Sequence, residues 1–158
     1  MTTTTHPTQT LQTPTSTDIS AARARNESTW RASAVALYGG DIERFLSYWT
    51  TDARYAVAYP VEGFPSVVEG LDALRQLFGG FASAAESIGV VDVRFHQTDD
   101  PQVAFVEERM VARLHGGGSY ENTLAIRVTF RGDLIQEILE YYGQLAHQEL
   151  AHQLVAGA

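Results

Sequence analysis

Cysteine is absent from all 158 residues. That one absence removes disulfide bridges, thiolate metal sites and a cysteine nucleophile, and a domain of this size buries enough surface to do without a staple. Basic residues are scarce: Lys and Arg total 11 against 19 Asp and Glu, for a net charge of -8. A nucleic-acid binder needs a basic face to neutralise phosphates, so this balance argues against that class. No apolar run approaches the roughly 20 residues that a bilayer-spanning helix requires. Met1 to Thr17 lacks the basic start and apolar core of a secretory signal, so a cytoplasmic location is the default expectation. No nucleophile elbow, phosphate loop or dinucleotide fingerprint is present. Gly116-Gly117-Gly118 falls in a predicted hairpin, the wrong context for binding phosphate. His96, His115, His147 and His152 show no metal-ligand spacing with acidic partners, so neither a metal nor a cofactor is expected. His147 and His152, five residues apart on a predicted terminal helix, do not stack on one face.

What is there reads as one globular domain behind a tail. Residues 1–18 are rich in Thr, Pro and Gln with almost nothing to bury, and such a segment is expected to be disordered. Residues 19–158 form the single domain. Ile19, Ala22, Trp30, Ala34 and Leu37 recur at helical spacing, predicting a helix from Asp18 or Ser20 to about Tyr38, stopped by Gly39-Gly40. Asp41 caps a second helix, Ile42 to Trp49. A strand, Tyr55 to Tyr59, ends at Pro60, and 61–68 reads as a loop. A third helix follows Gly70, with Gly79-Gly80 fraying its end. Val90 to Gln97 alternates, with Val91, Val93 and Phe95 on one side. Three long strands follow, Val103–His115, Ser119–Phe130 and Leu134–Gly143, joined by hairpins, then a helix from Leu145 to Leu154. Segregated helices and hairpin-linked strands predict an α+β fold with an antiparallel sheet.

Side-chain parity sorts the long strands into faces. Tyr120, Asn122, Leu124, Ile126, Val128 and Phe130 form an apolar, inward set whose polar members are Tyr120 and Asn122. Ala104, Val106, Glu108, Met110, Ala112 and Leu114 form another, apolar except for Glu108. On 134–143 composition leaves the parity open.

The order of elements, together with Gly40-Asp41-Ile42-Glu43-Arg44-Phe45, Trp49-Thr50-Thr51-Asp52-Ala53, Val68-Glu69-Gly70 and Phe130-Arg131-Gly132-Asp133-Leu134-Ile135, resembles nuclear transport factor 2-like (SnoaL-like) domains. The resemblance implies a cone: a curved sheet packed on three N-terminal helices around a pocket. It also implies a homodimer through the outer sheet face, where Arg109, Arg113 and Arg127 lie among Glu107 and Glu121. The run Phe95-His96-Gln97-Thr98-Asp99-Asp100-Pro101, with Phe105-Val106-Glu107, Tyr120-Glu121-Asn122 and Glu140, looks like the phenazine-biosynthesis A/B subfamily. That likeness implies that Glu140 and Tyr142 face inward, Glu140 as a buried acid and Tyr120 as a pocket tyrosine. Leu77 stands where the subfamily has a histidine. The ketosteroid isomerase pattern does not fit, since the positions of its two acids fall near 57–59 and at Ile126. An Asp-Arg-Asp hydrolase constellation lacks an inward Arg.

The expected function is therefore cofactor-independent proton transfer on a mostly apolar, carbonyl- or imine-bearing small molecule: an isomerase, cyclase, dehydratase or condensation enzyme of secondary metabolism. A carboxyl in an apolar hollow is held protonated toward neutral pH, which suits Glu140 as acid/base with Glu108 as a second, coupled carboxyl. Tyr120 and Asn122 would orient the carbonyl. Tyr142, Tyr59, Trp30 and Phe78 would complete the substrate wall or mouth, with Tyr55 beside Tyr59 either lining the mouth or packing in the core or rim. The alternative is a non-catalytic module of the same fold that binds a hydrophobic ligand or a partner.

Overall fold

A computed structural model describes residues 15–156. Most of the expected tail, 1–14, lies outside the described residues. Its last residues are not tail: helix α1 (Ser16–Tyr38) starts earlier than expected, because Thr15 and Asp18 form a reciprocal capping box that satisfies the first free N–H groups. Helix α2 is short (Ile42–Leu46), with the Asp41 carboxylate accepting from the Arg44 N–H at 3.1 Å. Trp49, expected to end that helix, instead opens strand β1 (Trp49–Val57). Replacing Asp41 with Ala should lower unfolding stability by about 1 kcal/mol in urea titration, the usual loss for an N-cap.

The loop expected at 61–68 yields a short edge strand, β2 (Val67–Glu69). Helix α3 (Leu71–Ala84) runs straight through Gly79-Gly80 and leads into β3 (Ala85–Gln97), which starts five residues earlier than its alternation suggested. β4 (Val103–Leu114), β5 (Ser119–Arg131) and β6 (Leu134–Tyr142) follow, then α4 (Gln144–Ala156). Gly132, at φ 62, lets the β5–β6 chain reverse within two residues.

The six strands form one curved, unclosed sheet in the order β2-β1-β6-β5-β4-β3. The architecture is the expected α+β, with one correction. β1 runs parallel to β6, so the sheet is mixed rather than antiparallel. Hairpins fix only neighbours in sequence, whereas β1 reaches β6 across most of the chain. Trp30, Phe45, Trp49, Leu74, Val106, Val128 and Ile135 centre the main core between the helices and the sheet's concave face. A second cluster, Ala112, Leu114, Tyr120 and Leu150, lies under α4. Among the described residues no helix is long and apolar enough to cross a membrane.

Candidate active site

The site begins with strand parity. Every second residue of β5 from Tyr120 to Phe130 is buried, and β4 buries Ala104, Val106, Glu108, Ala112 and Leu114. β6 carries a bulge: Thr129 pairs with Glu137, but Phe130 pairs with Ile135, leaving Gln136 unmatched. The bulge resets the phase, so Ile135 and Ile138 both point inward although they are three apart, and Glu140 and Tyr142 follow Ile138. That extra residue is why composition alone left this strand ambiguous. Glu140 sits opposite Ile126 on one side and Val57 on the other, within the apolar face.

A cavity of about 60 Å³ lies where the two core clusters meet. Tyr55, Phe64, Phe78, Phe81, Leu124, Glu140, His147 and Leu150 are among the residues that line it. Tyr55 Oη donates to Glu140 Oε2 at 2.6 Å. Burial is the dominant influence on Glu140 and pushes its carboxyl up to about 7; the Tyr55 hydrogen bond opposes the shift and the nearby Glu108 charge adds to it. Glu108, 2% exposed, accepts from Tyr38 Oη at 2.7 Å through Oε1, and its Oε2 has no partner among the described residues. Burial raises Glu108 as well, against the pull of the Tyr38 hydrogen bond. The result is two part-buried Tyr–Glu pairs, Glu108 buried and Glu140 half-buried, each carboxyl biased toward its protonated form. Burial raises Tyr38 and Tyr55 well above the ordinary phenol value, so both remain hydrogen-bond donors.

The expected site residues divide into three groups. Glu140, Tyr120 and Phe78 line the cavity. Glu108, Asn122 and Tyr142 stand behind it. Asn122 bonds Tyr120 Oη at 3.0 Å, and Tyr142 donates to the Tyr59 carbonyl at 2.6 Å. Trp30 and Tyr59 do not reach it. Trp30 is consumed by the main core. Tyr59 follows the end of β1, 51% exposed, with its ring packed edge-on against Tyr141.

Tyr55, named from the sequence with Tyr59 for the mouth, is on the buried phase of β1 and lines the cavity. One lining residue was missed: His147, buried on α4. The spacing of His147, Leu150, Ala151 and Leu154 is the i, i+3, i+4, i+7 stripe of a buried helix face and is the signal that could have found it. A larger groove along α1, lined by Glu27, Arg31, Val35 and Arg44, is open to solvent and holds no buried ionisable group. Among the described residues no cluster of three or more His, Asp or Glu is arranged to hold a metal.

No curated protein matches the chain. Solved structures do share its fold. A protein provisionally named an isomerase from Bacillus subtilis is 16% identical, covering 81% of this chain and 93% of that one, with a TM-score of 0.74. A phenazine biosynthesis-related protein from Pseudomonas aeruginosa is 19% identical over 86% of this chain and 90% of that one, TM-score 0.72. A protein provisionally named a polyketide cyclase from Xanthomonas campestris pv. campestris is 17% identical over 84% and 98%, TM-score 0.69. At such identities the likeness establishes architecture alone. The SnoaL-like domain matches residues 30–138, well over half of the chain, and the chain belongs to that family.

Proposed function

We propose that the protein is a cofactor-independent enzyme of isomerase or cyclase type, moving a proton on a small, mostly apolar carbonyl compound with Glu140 as the acid/base. One observation carries the reading: a carboxyl with its pKa near 7 lines an apolar cavity. At neutral pH such a group is divided between its two forms, so it can take a proton from carbon and return it. Tyr55 occupies Oε2, which leaves Oε1 for the substrate. Glu108 and Tyr38 hold a second carboxyl whose charge disfavours ionisation of the first.

The resting cavity, about 60 Å³, is small beside the few hundred Å³ of an ordinary ligand pocket. A larger substrate must push aside lining groups: Phe64 in the segment between β1 and β2, Phe81 near the end of α3, or α4. Gln144 and Gln148 of α4 donate to the Pro60 and Glu62 carbonyls, so these two segments are tied together and would move as one. The small volume also favours a second reading, in which the hollow only binds a compact hydrophobic ligand.

Proton exchange separates the two. In D₂O the protein should exchange the α-protons of small cyclic ketones, cyclopentanone first, faster than buffer does, as followed by NMR. Ketone binding without exchange at any pH between 5 and 9 overturns the enzyme reading in favour of the binder.

A homodimer through the outer sheet face is part of the same proposal. Val91 and Phe105 are exposed on β3 and β4, and the neighbouring charges are already matched within the chain, Arg109 with Glu121 at 2.8 Å and Arg113 with Glu86 at 3.8 Å. An apolar patch with neutralised surroundings suits self-association. Light scattering should give twice 17.3 kDa, and a persistent monomer across concentrations refutes it.

A further inference from the structure

His147 takes no part in the Tyr–Glu pairs, yet it is 4% exposed and lines the same cavity. Its surroundings leave one edge of the ring available. One face stacks on Tyr142, with centroids 4.1 Å apart and planes 21° from parallel. Phe64 stands edge-on at 4.4 Å. Nδ1 faces Tyr120 Oη at 3.4 Å. Nε2 is buried and no described residue bonds to it.

A chain of hydrogen bonds determines which nitrogen holds the proton. The Gly143 N–H donates to Asn122 Oδ1 at 2.8 Å, and Asn122 Nδ2 donates to the Gly143 carbonyl at 3.0 Å, so the amide can sit only one way round. The same Nδ2 donates to Tyr120 Oη at 3.0 Å. Tyr120 therefore accepts from Asn122 and turns its own O–H toward His147 Nδ1. The contact is long, but its direction is what matters: Nδ1 is the acceptor, and Nε2 carries the hydrogen. Asn122 and Tyr120 thus act as positioning residues that set a tautomer.

We propose that the His147 Nε2–H is the donor that recognises a carbonyl oxygen of a neutral ligand, seating the carbon next to that carbonyl against Glu140. The assignment deepens the acid/base reading above and rests on it. The cavity walls supply the ligand's chemical class. They contain no Arg among the described residues, and Glu140 and Glu108 are both close, so a carboxylate or phosphate would be repelled. Phe78, Phe81, Met110, Leu124 and Leu150 ask for an apolar body. A small ketone, aldehyde or enone meets both conditions.

The step balances without an oxidant or reductant. The C–H bond breaks toward a Glu140 oxygen, its electron pair forms the C=C bond of an enolate, and charge moves onto the carbonyl oxygen. His147 keeps its proton and lends only a hydrogen bond to that oxygen. Glu140 then returns the proton to carbon, at the same atom for exchange or at a conjugated one for isomerisation. Burial lowers His147 to about 4, so the imidazole is neutral throughout the working range, a donor that need not give its proton away.

The test uses the full-length protein, ¹⁵N-labelled on histidine, and cyclopentanone labelled with ¹³C at the carbonyl. Side-chain spectra at pH 7 should show His147 protonated at Nε2 only. Cyclopentanone should displace the Hε2 signal, and its carbonyl resonance should move downfield on binding. His147→Phe, which preserves the stack, should abolish that carbonyl shift and slow exchange at least 10-fold, while His147→Gln, which restores a donor, should recover part of both. Glu140→Gln should stop exchange yet leave the carbonyl shift intact, so failure of the acid/base reading and failure of the His147 assignment are separate results. A proton on Nδ1 at pH 7 overturns the proposal whatever becomes of the variants. So does an unmoved Hε2 signal at about 100 mM ketone, or a carbonyl shift that survives in His147→Phe.

Discussion

Glu140→Gln should lower ketone proton exchange by 100- to 10,000-fold while the fold stays as it is, the range that a positioned general base contributes. On the energy scale that is about 3–5 kcal/mol of barrier. The substitution is nearly isosteric. An amide oxygen can still accept from Tyr55, so the local structure has no cause to move. What disappears is the one group, among the described residues that line the cavity, whose affinity for protons is matched to neutral pH. His147 cannot replace it, because burial holds that ring neutral down to about pH 4, too weak a base to capture a proton from carbon. Two neighbouring changes should displace the pH midpoint of exchange without abolishing it. Tyr55→Phe removes a hydrogen bond that favours the carboxylate, so the midpoint rises. Glu108→Gln removes a charge that disfavours it, so the midpoint falls. Exchange by Glu140→Gln above a tenth of the wild-type rate sinks the assignment. Midpoints that move in the reverse directions would show that the carboxyl being titrated is another one.

How far the sequence foretold this site follows from where backbone regularity holds. β5 keeps strict alternation, so Tyr120, Asn122 and their apolar companions were assigned to the inner face from composition alone, and β4 gave up Glu108 in the same way. Irregularities defeat that reasoning. The Gln136 bulge splits β6 into two phases, and only the family likeness pointed to an inward Glu140. In β3 the chain adopts φ 57 at Asp92 and the register slips between Val91 and Arg94, so Val91, expected to share a face with Val93 and Phe95, is exposed. At Trp49 the apolar spacing from Phe45 fits a helical turn as well as a strand start, and long-range pairing with β6 settled it. His147 was overlooked for another reason: it was compared only with His152 as a metal pair, not with Leu150 and Leu154 as one side of a buried stripe. The mixed sheet belongs with the bulges. Nothing local in 49–57 encodes a partner more than eighty residues away.

Half-buried Glu140 and buried His147 should give the three proteins, wild type, Glu140→Gln and His147→Phe, unfolding stabilities that depend on pH with different signs. Glu140 binds its proton up to about pH 7 when folded but only to its ordinary value of 4.5 when unfolded. Between those limits the native state holds more protons, so this group's stabilisation is complete below about 4.5 and is lost as pH rises through 7. His147 works the other way. Its ordinary value of 6.5 falls to about 4 in the fold, so the unfolded chain holds more protons between them, and the stabilisation present above 6.5 is lost as pH falls toward 4. Each group alone can impose a slope of up to about 1.4 kcal/mol per pH unit. From about 4.5 to 6.5 the two windows overlap and oppose each other, so between them they contribute almost no slope to the wild type. Removing the carboxylate in Glu140→Gln leaves the histidine alone, and stability should climb with pH relative to wild type. Removing the imidazole in His147→Phe leaves the carboxyl alone, and stability should drop relative to wild type. Surface carboxylates with depressed values, Asp18, Glu43 and Asp52, lose their contributions at lower pH, are common to the three proteins and cancel in the comparison. Glu108 shares the direction of Glu140 and is coupled to it, so losing the Glu140 charge weakens the Glu108 contribution too and adds to the climb expected of Glu140→Gln. Urea titrations at half-unit steps from pH 4.5 to 7.5 measure the slopes. Three parallel curves would mean that neither group is buried as described, and the chemistry built on both would fall together.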